Sequence, residues 1–232
     1  MDPQQLFVDE RLTGFCVYCG STPDTVDHCP SKVLLDEPFP PDLAVVEACA
    51  KCNNSFSMDE QYLACLVESA LCGTADPDLV SRQKIKRILA DTPALEARLN
   101  DHKSLDESGN LLWGVDVERV RRVVLKLARG HIAYELSVPK LDEPDCVNFA
   151  PLVLMSDKQR AAFESPGDRV RELWPEIGSR AFIRAAKPLA GPQSDEWIIV
   201  QPGRYRYIVA QSGGDLVQMV LSEYLACQVV WH

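Results

Sequence analysis

Cys16-Val17-Tyr18-Cys19, Val26-Asp27-His28-Cys29-Pro30 and Cys49-Ala50-Lys51-Cys52-Asn53-Asn54 are three short runs within the first quarter of a 232-residue chain. Each Cys-x-x-Cys pair can form a knuckle, a tight turn that points two thiolates at one ion. Two such pairs complete the tetrahedral four-thiolate shell that zinc prefers. The alternative is four buried free cysteines packing as small hydrophobes. The 29 residues between Cys19 and Cys49 exceed ribbon spacing, so the insert holds something of its own, and it contains Asp27-His28. Around these runs, Thr25-Val26 reads as a short strand just before His28, and Leu43–Val46 as a second one leading into Cys49. Ser57-Met58-Asp59-Glu60 fits a capping box. Tyr62, Leu63, Leu66, Val67 and Leu71 follow it at helical spacing, with Gly73 as the stop. The expected order is strand, strand, helix.

Cys-x-x-Cys, then Asp-His with Pro30 close behind, then a strand, then Cys-x-x-Cys-Asn opening a helix resembles the zinc-knuckle (four-Cys) type of HNH, or ββα-metal, endonuclease. The resemblance covers about residues 16–62. It implies a metal-dependent enzyme hydrolysing DNA phosphodiesters, with RNA left open as a substrate. His28 would be the general base, since imidazole titrates near neutrality. Asp27 and Asn53 would be the oxygen ligands of a catalytic Mg²⁺ or Mn²⁺, a hard cation. A structural Zn²⁺ on Cys16, Cys19, Cys49 and Cys52 would make these three residues converge. Asp42 stands where the family often has its middle Asn, and Asn54, Asp59 and Glu60 are alternative ligands to Asn53. Restriction or antiviral defence is the implied setting. A reading from another class is a zinc-knuckle module that binds nucleic acid or protein, with weak or partner-dependent nuclease activity. The intact Asp27, His28 and Asn53 set speaks for the enzyme.

Composition is that of an ordinary globular chain, 46% hydrophobic and 25% charged. A net charge of −10 opposes binding a polyanion. The charge is segregated, however: residues 1–60 hold 11 acids and 3 bases, whereas residues 82–131 hold 11 bases and 7 acids. A helix expected from Val117 to Leu136 carries Arg119, Arg122, Lys126 and Arg129 in one stripe opposite Val117, Val120, Val124 and Leu127, a spacing that suits phosphate contacts or a solvated face. Arg82, Lys86 and Arg87 extend the track. The acidic total also allows a protein partner or activator.

The fold class expected is α+β, in three parts: residues 1–75 as the ββα-metal module with its zinc site, 76–138 as a helical region, and 139–232 as a mixed region with short strands. Strands are expected near residues 197–200, 205–209 and 216–220, with a turn at Gly213-Gly214. The aromatic residues of this last part read as core. In a reducing compartment, nine cysteines, four of them in matched pairs, are better explained by metal ligation or burial than by disulfides. Cys65, Cys72, Cys146 and Cys227 read as packing residues. With neither a signal-like start nor an apolar run of spanning length, a cytoplasmic location is expected.

Overall fold

The structure is a computed structural model that describes residues 14–109, 111–164, 179–181, 197–211 and 213–232. It is a mixed α+β fold divided into two compact units: Met1–Ser55 with Val124–His232, and Phe56–Val123. The division differs from the three consecutive segments expected, because the N-terminal residues and the C-terminal sheet cluster within one unit. Pro166, Pro175, Pro188 and Pro192, which punctuate the sequence after Leu136, lie outside the described residues.

In the first unit, β1 (Thr25–His28) and β2 (Val45–Ala48) pair antiparallel, with Asp27 opposite Val46 and His28 opposite Val45. The pairing extends past the strand end, since the Cys29 N–H donates to the Ala44 carbonyl at 2.9 Å. Helix α1 (Ala50–Cys72) follows at once. The capping box at Ser57 is therefore not a helix start. The Asp24 carboxylate accepts the Ala50 N–H at 2.5 Å and satisfies the end of the helix seven residues earlier. Ser57 to Glu60 become interior helical positions, and Asn53 lies in the first turn.

Five antiparallel strands form the C-terminal sheet in the order β5 (Cys146–Pro151), β9 (Leu225–Trp231), β8 (Asp215–Leu221), β7 (Tyr205–Gln211), β6 (Ile198–Gln201). β8 is buried at every position, as a central strand covered on both faces should be. Leu152, Phe163 and Trp197 pack on Val220 and Ala226. From helix α4 (Val117–Leu136), His131 stacks on Tyr207, with ring centres 3.7 Å apart. His131 Nε2 lies 2.8 Å from the Tyr205 hydroxyl, and the Tyr207 hydroxyl donates to Glu135 at 2.5 Å. Asp36 joins the loop after β1 to the same sheet through reciprocal backbone hydrogen bonds with the Gln201 side chain, both at 2.9 Å, and a salt bridge to Arg204.

The second unit contains most of α1, then α2 (Gln83–Asp91), α3 (Pro93–Asp101), the hairpin β3 (Lys103–Leu105) with β4 (Leu111–Trp113), and the start of α4. Pro93 occupies the first turn of α3, where its missing N–H costs nothing. Buried Glu68 accepts the backbone N–H groups of Ser81 and Arg82 at 3.1 and 2.9 Å, which serves the entry to α2.

Candidate active site and metal centre

The four paired cysteines converge. Cys16, Cys19, Cys49 and Cys52 place their Sγ atoms within 4.8 Å of one another, with Cys19 and Cys49 3.8 Å apart. A tetrahedral zinc with Zn–S bonds of about 2.3 Å needs sulfurs about 3.8 Å apart, so the donor set fits the ion in both chemistry and spacing. Burial pushes the Cys16 and Cys52 thiols up, whereas the Ser21 hydroxyl and backbone draw Cys19 down to about 6. A bound dication would let all four thiols ionise together. The knuckle backbone explains the convergence. The Gly20 N–H returns to the Cys16 carbonyl at 2.8 Å, and Val17 N–H reaches Glu47 of β2 at 3.0 Å. Cys29 stands outside the group: its buried thiol faces the Leu127 carbonyl at 3.5 Å. Cys65 and Cys227 are buried as expected of packing residues, while Cys72 and Cys146 are only half-buried.

His28 closes β1 and is half-buried. Burial lowers its pKa, Lys32 and Lys126 lower it further, and Asp27 opposes them. The ring is thus neutral at neutral pH and able to accept a proton. Asn53 reaches β1 from α1: its Nδ2 donates to the Val26 carbonyl at 3.2 Å and braces the helix start against the strand. Asp42 is exposed in the loop before β2, and Asn54 is exposed on α1. Within the second unit, Asp59 spends both carboxylate oxygens on Arg119 and Arg122, at 2.6 and 2.7 Å.

Asp27 is the surprise of the site. It is buried, and its Oδ2 takes the Tyr18 hydroxyl at 2.9 Å and the Lys126 ammonium at 2.7 Å. Lys126 is only 1% exposed at its side chain and also donates to Ser31 Oγ at 2.8 Å. A carboxylate already neutralised by a buried ammonium, plus one amide, offers a divalent cation no net negative charge. As folded, Asp27 and Asn53 do not fit the catalytic Mg²⁺ or Mn²⁺ expected of them.

The basic stripe is corrected by the same contacts. Lys126 faces the interior because α4 is buried around its whole circumference here: Val123, Val124, Leu127 and Ala128 are all fully buried. Arg129 donates to the Leu141 and Asp142 carbonyls at 3.3 and 2.9 Å. Arg119 holds Asp59 and the Met58 carbonyl and lies 4.4 Å from the Tyr62 ring centre. Arg122 is half exposed and pairs with Asp59 at 2.7 Å. Of the extension, Arg82 is buried, Lys86 donates to the Asp78 carbonyl at 3.2 Å and Arg87 is exposed.

Tyr18 and Ser31 are the site residues that sequence reasoning missed, and Lys126, expected on a phosphate-facing stripe, pairs with Asp27 instead. The signal for Lys126 was its place inside Val123-Val124-Leu125-Lys126-Leu127-Ala128, a charge in an otherwise apolar run. Among the described residues, no helix is long and apolar enough to cross a membrane. The chain matches no protein-family model, no curated protein and no solved structure.

Proposed function

We propose that the chain is a nuclease of the HNH kind, acting on DNA phosphodiesters, whose hydrolytic strand is β1 and whose zinc is structural. The observation that carries this reading is the placement of the four-thiol cage at both ends of one β-hairpin–helix segment. Cys16 and Cys19 precede β1, Cys49 and Cys52 lie where β2 passes into α1, and His28 ends the strand between them. Hydrolysis needs a group that takes a proton from the attacking water. The depressed pKa and half-buried position of His28 support that role, and Asn53 keeps the helix registered on the strand that carries it.

The buried Asp27–Lys126 pair favours one form of this proposal over an always-active enzyme. In that form the chain is a zinc-knuckle module that engages nucleic acid or a protein partner, and its nuclease activity is weak or depends on that partner. The acidic balance of the chain supports this form, because −10 is a poor charge for holding a polyanion unaided. Restriction or antiviral defence in the cytoplasm is the setting we propose.

The test is conversion of supercoiled plasmid by zinc-loaded protein with Mg²⁺, with Mn²⁺ and with EDTA, beside a His28→Ala variant of equal zinc content and a matched RNA substrate. Nicking that disappears in the variant supports the reading. Equal cleavage by the variant overturns the role of His28, and no cleavage of either nucleic acid leaves the binding module as the function.

A further inference from the structure

The Lys126 ammonium stands where a cation would balance Asp27. It lies 2.7 Å from Asp27 Oδ2, 2.8 Å from Ser31 Oγ and 5.9 Å from the centre of the Tyr18 ring, whose hydroxyl donates to the same carboxylate oxygen. A lysine this deeply buried persists as a cation only where a charge partner and further acceptors meet it, and all are present. The chain also delivers it by close contact. Gly130, one turn further along α4, brings the helix so near β1 that a Cβ there would stand 2.7 Å from Cys29 Sγ. The Cys29 thiol faces the Leu127 carbonyl from the same side. Helix α4 is therefore seated directly on the end of β1, with Lys126 fixed against Asp27.

We infer that Lys126 is the built-in counter-cation of Asp27: it fills the electrostatic place of a divalent cation on β1, so that Asp27 takes Mg²⁺ or Mn²⁺ only when Lys126 is withdrawn. A dication sharing the carboxylate would lie roughly 5 Å from the ammonium, where the repulsion is several times thermal energy even at an effective dielectric of about 20. The inference rests on the proposed nuclease reading only for the kind of cation. The ion pair itself is independent of any activity.

Binding of Mn²⁺, followed by the loss of its free electron-spin resonance signal, tests this on the full-length zinc-loaded chain. Lys126→Gln keeps a polar head for Ser31 and Asp27 while removing the charge. It should bind Mn²⁺ about tenfold or more tightly than the parent chain, and adding Asp27→Asn should abolish the gain. Parent protein that binds Mn²⁺ as tightly as Lys126→Gln, at a site lost with Asp27→Asn, overturns the inference. So does the absence of binding to either. If Lys126→Gln is unfolded without a cation, Mn²⁺ should restore its near-ultraviolet circular dichroism, and failure to do so also refutes the inference. Because cleavage is not read, an inactive chain showing this pattern sinks the nuclease reading alone, and an active chain lacking it sinks the inference alone.

Discussion

Acidification should unload stability through His131. The ring is completely buried, stacked on Tyr207, with Nε2 at 2.8 Å from the Tyr205 hydroxyl and Nδ1 without a hydrogen-bond partner. Burial, with Lys126 adding to it, holds its pKa down to about 3, against 6.5 for an unburied imidazole. The unfolded chain therefore takes up a proton below pH 6.5 that the folded chain refuses until about pH 3. Stability from this group is complete above pH 6.5 and falls as the pH drops through the window between those values. Linkage gives a loss of about 2 kcal/mol between pH 7.5 and pH 5. Urea unfolding followed by circular dichroism at the two pH values, for the parent chain and for His131→Phe, isolates the effect. Acid weakening of the zinc thiolates is common to both proteins and cancels. The parent should lose about 2 kcal/mol more than the variant over this interval, and an equal loss in both would refute a neutral buried His131.

Two glycines and one charge pair give further outcomes. Gly130→Ala should destabilise by about 1–3 kcal/mol through overpacking against Cys29 Sγ at 2.7 Å. In a Cys29→Ala background the same change should be neutral or stabilising, because a helical glycine is then being replaced at no steric cost, and a double-mutant cycle by denaturant unfolding reads both. Gly214→Ala would place a Cβ 2.3 Å from the Trp231 carbonyl. Since backbone cannot swing aside, the turn between β7 and β8 should fray first, seen as lost hydrogen-exchange protection in β8 and β9. Asp27→Ala should cost about 3–5 kcal/mol by stranding the Lys126 ammonium. Asp27→Asn combined with Lys126→Met should cost less than either single change, and simple additivity would argue that the two side chains do not act as a pair.

How much of this was legible depended on whether the cause was local. The Cys-x-x-Cys spacing is a local instruction, and the four thiols meet as it implies. The helix from Val117 to Leu136 was visible in its period and matches its observed bounds. The start of α1 was not, because the cap is Asp24, 26 residues upstream of the N–H it accepts. Strand β9 was hidden by its turn. Ser222 and Glu223 both adopt positive φ, 52° and 47°, where a tight hairpin turn usually advertises itself with Asn or Gly. The division of the chain was obscured for the same kind of reason: Asp27 with Lys126, and Tyr205 with His131, are separated by 99 and 74 residues in sequence. The stripe on α4 had the spacing of a surface track, yet only neighbours from other elements decide which side of a helix meets water. Asp27-His28 announced chemistry in the sequence; that Asp27 would be met by a lysine rather than left open lies entirely in tertiary structure.

In the function proposed for this chain, one zinc ion held by four thiolates ties the entry of β1 to the start of α1 and so builds the site. The most direct measurement is the zinc content of the purified chain by atomic absorption, with Cys49→Ser alongside. One zinc per chain is expected, lost in the variant together with protease resistance of residues 14–55; a well-folded parent chain that carries no zinc, or a variant that retains it, would overturn a zinc-tied site.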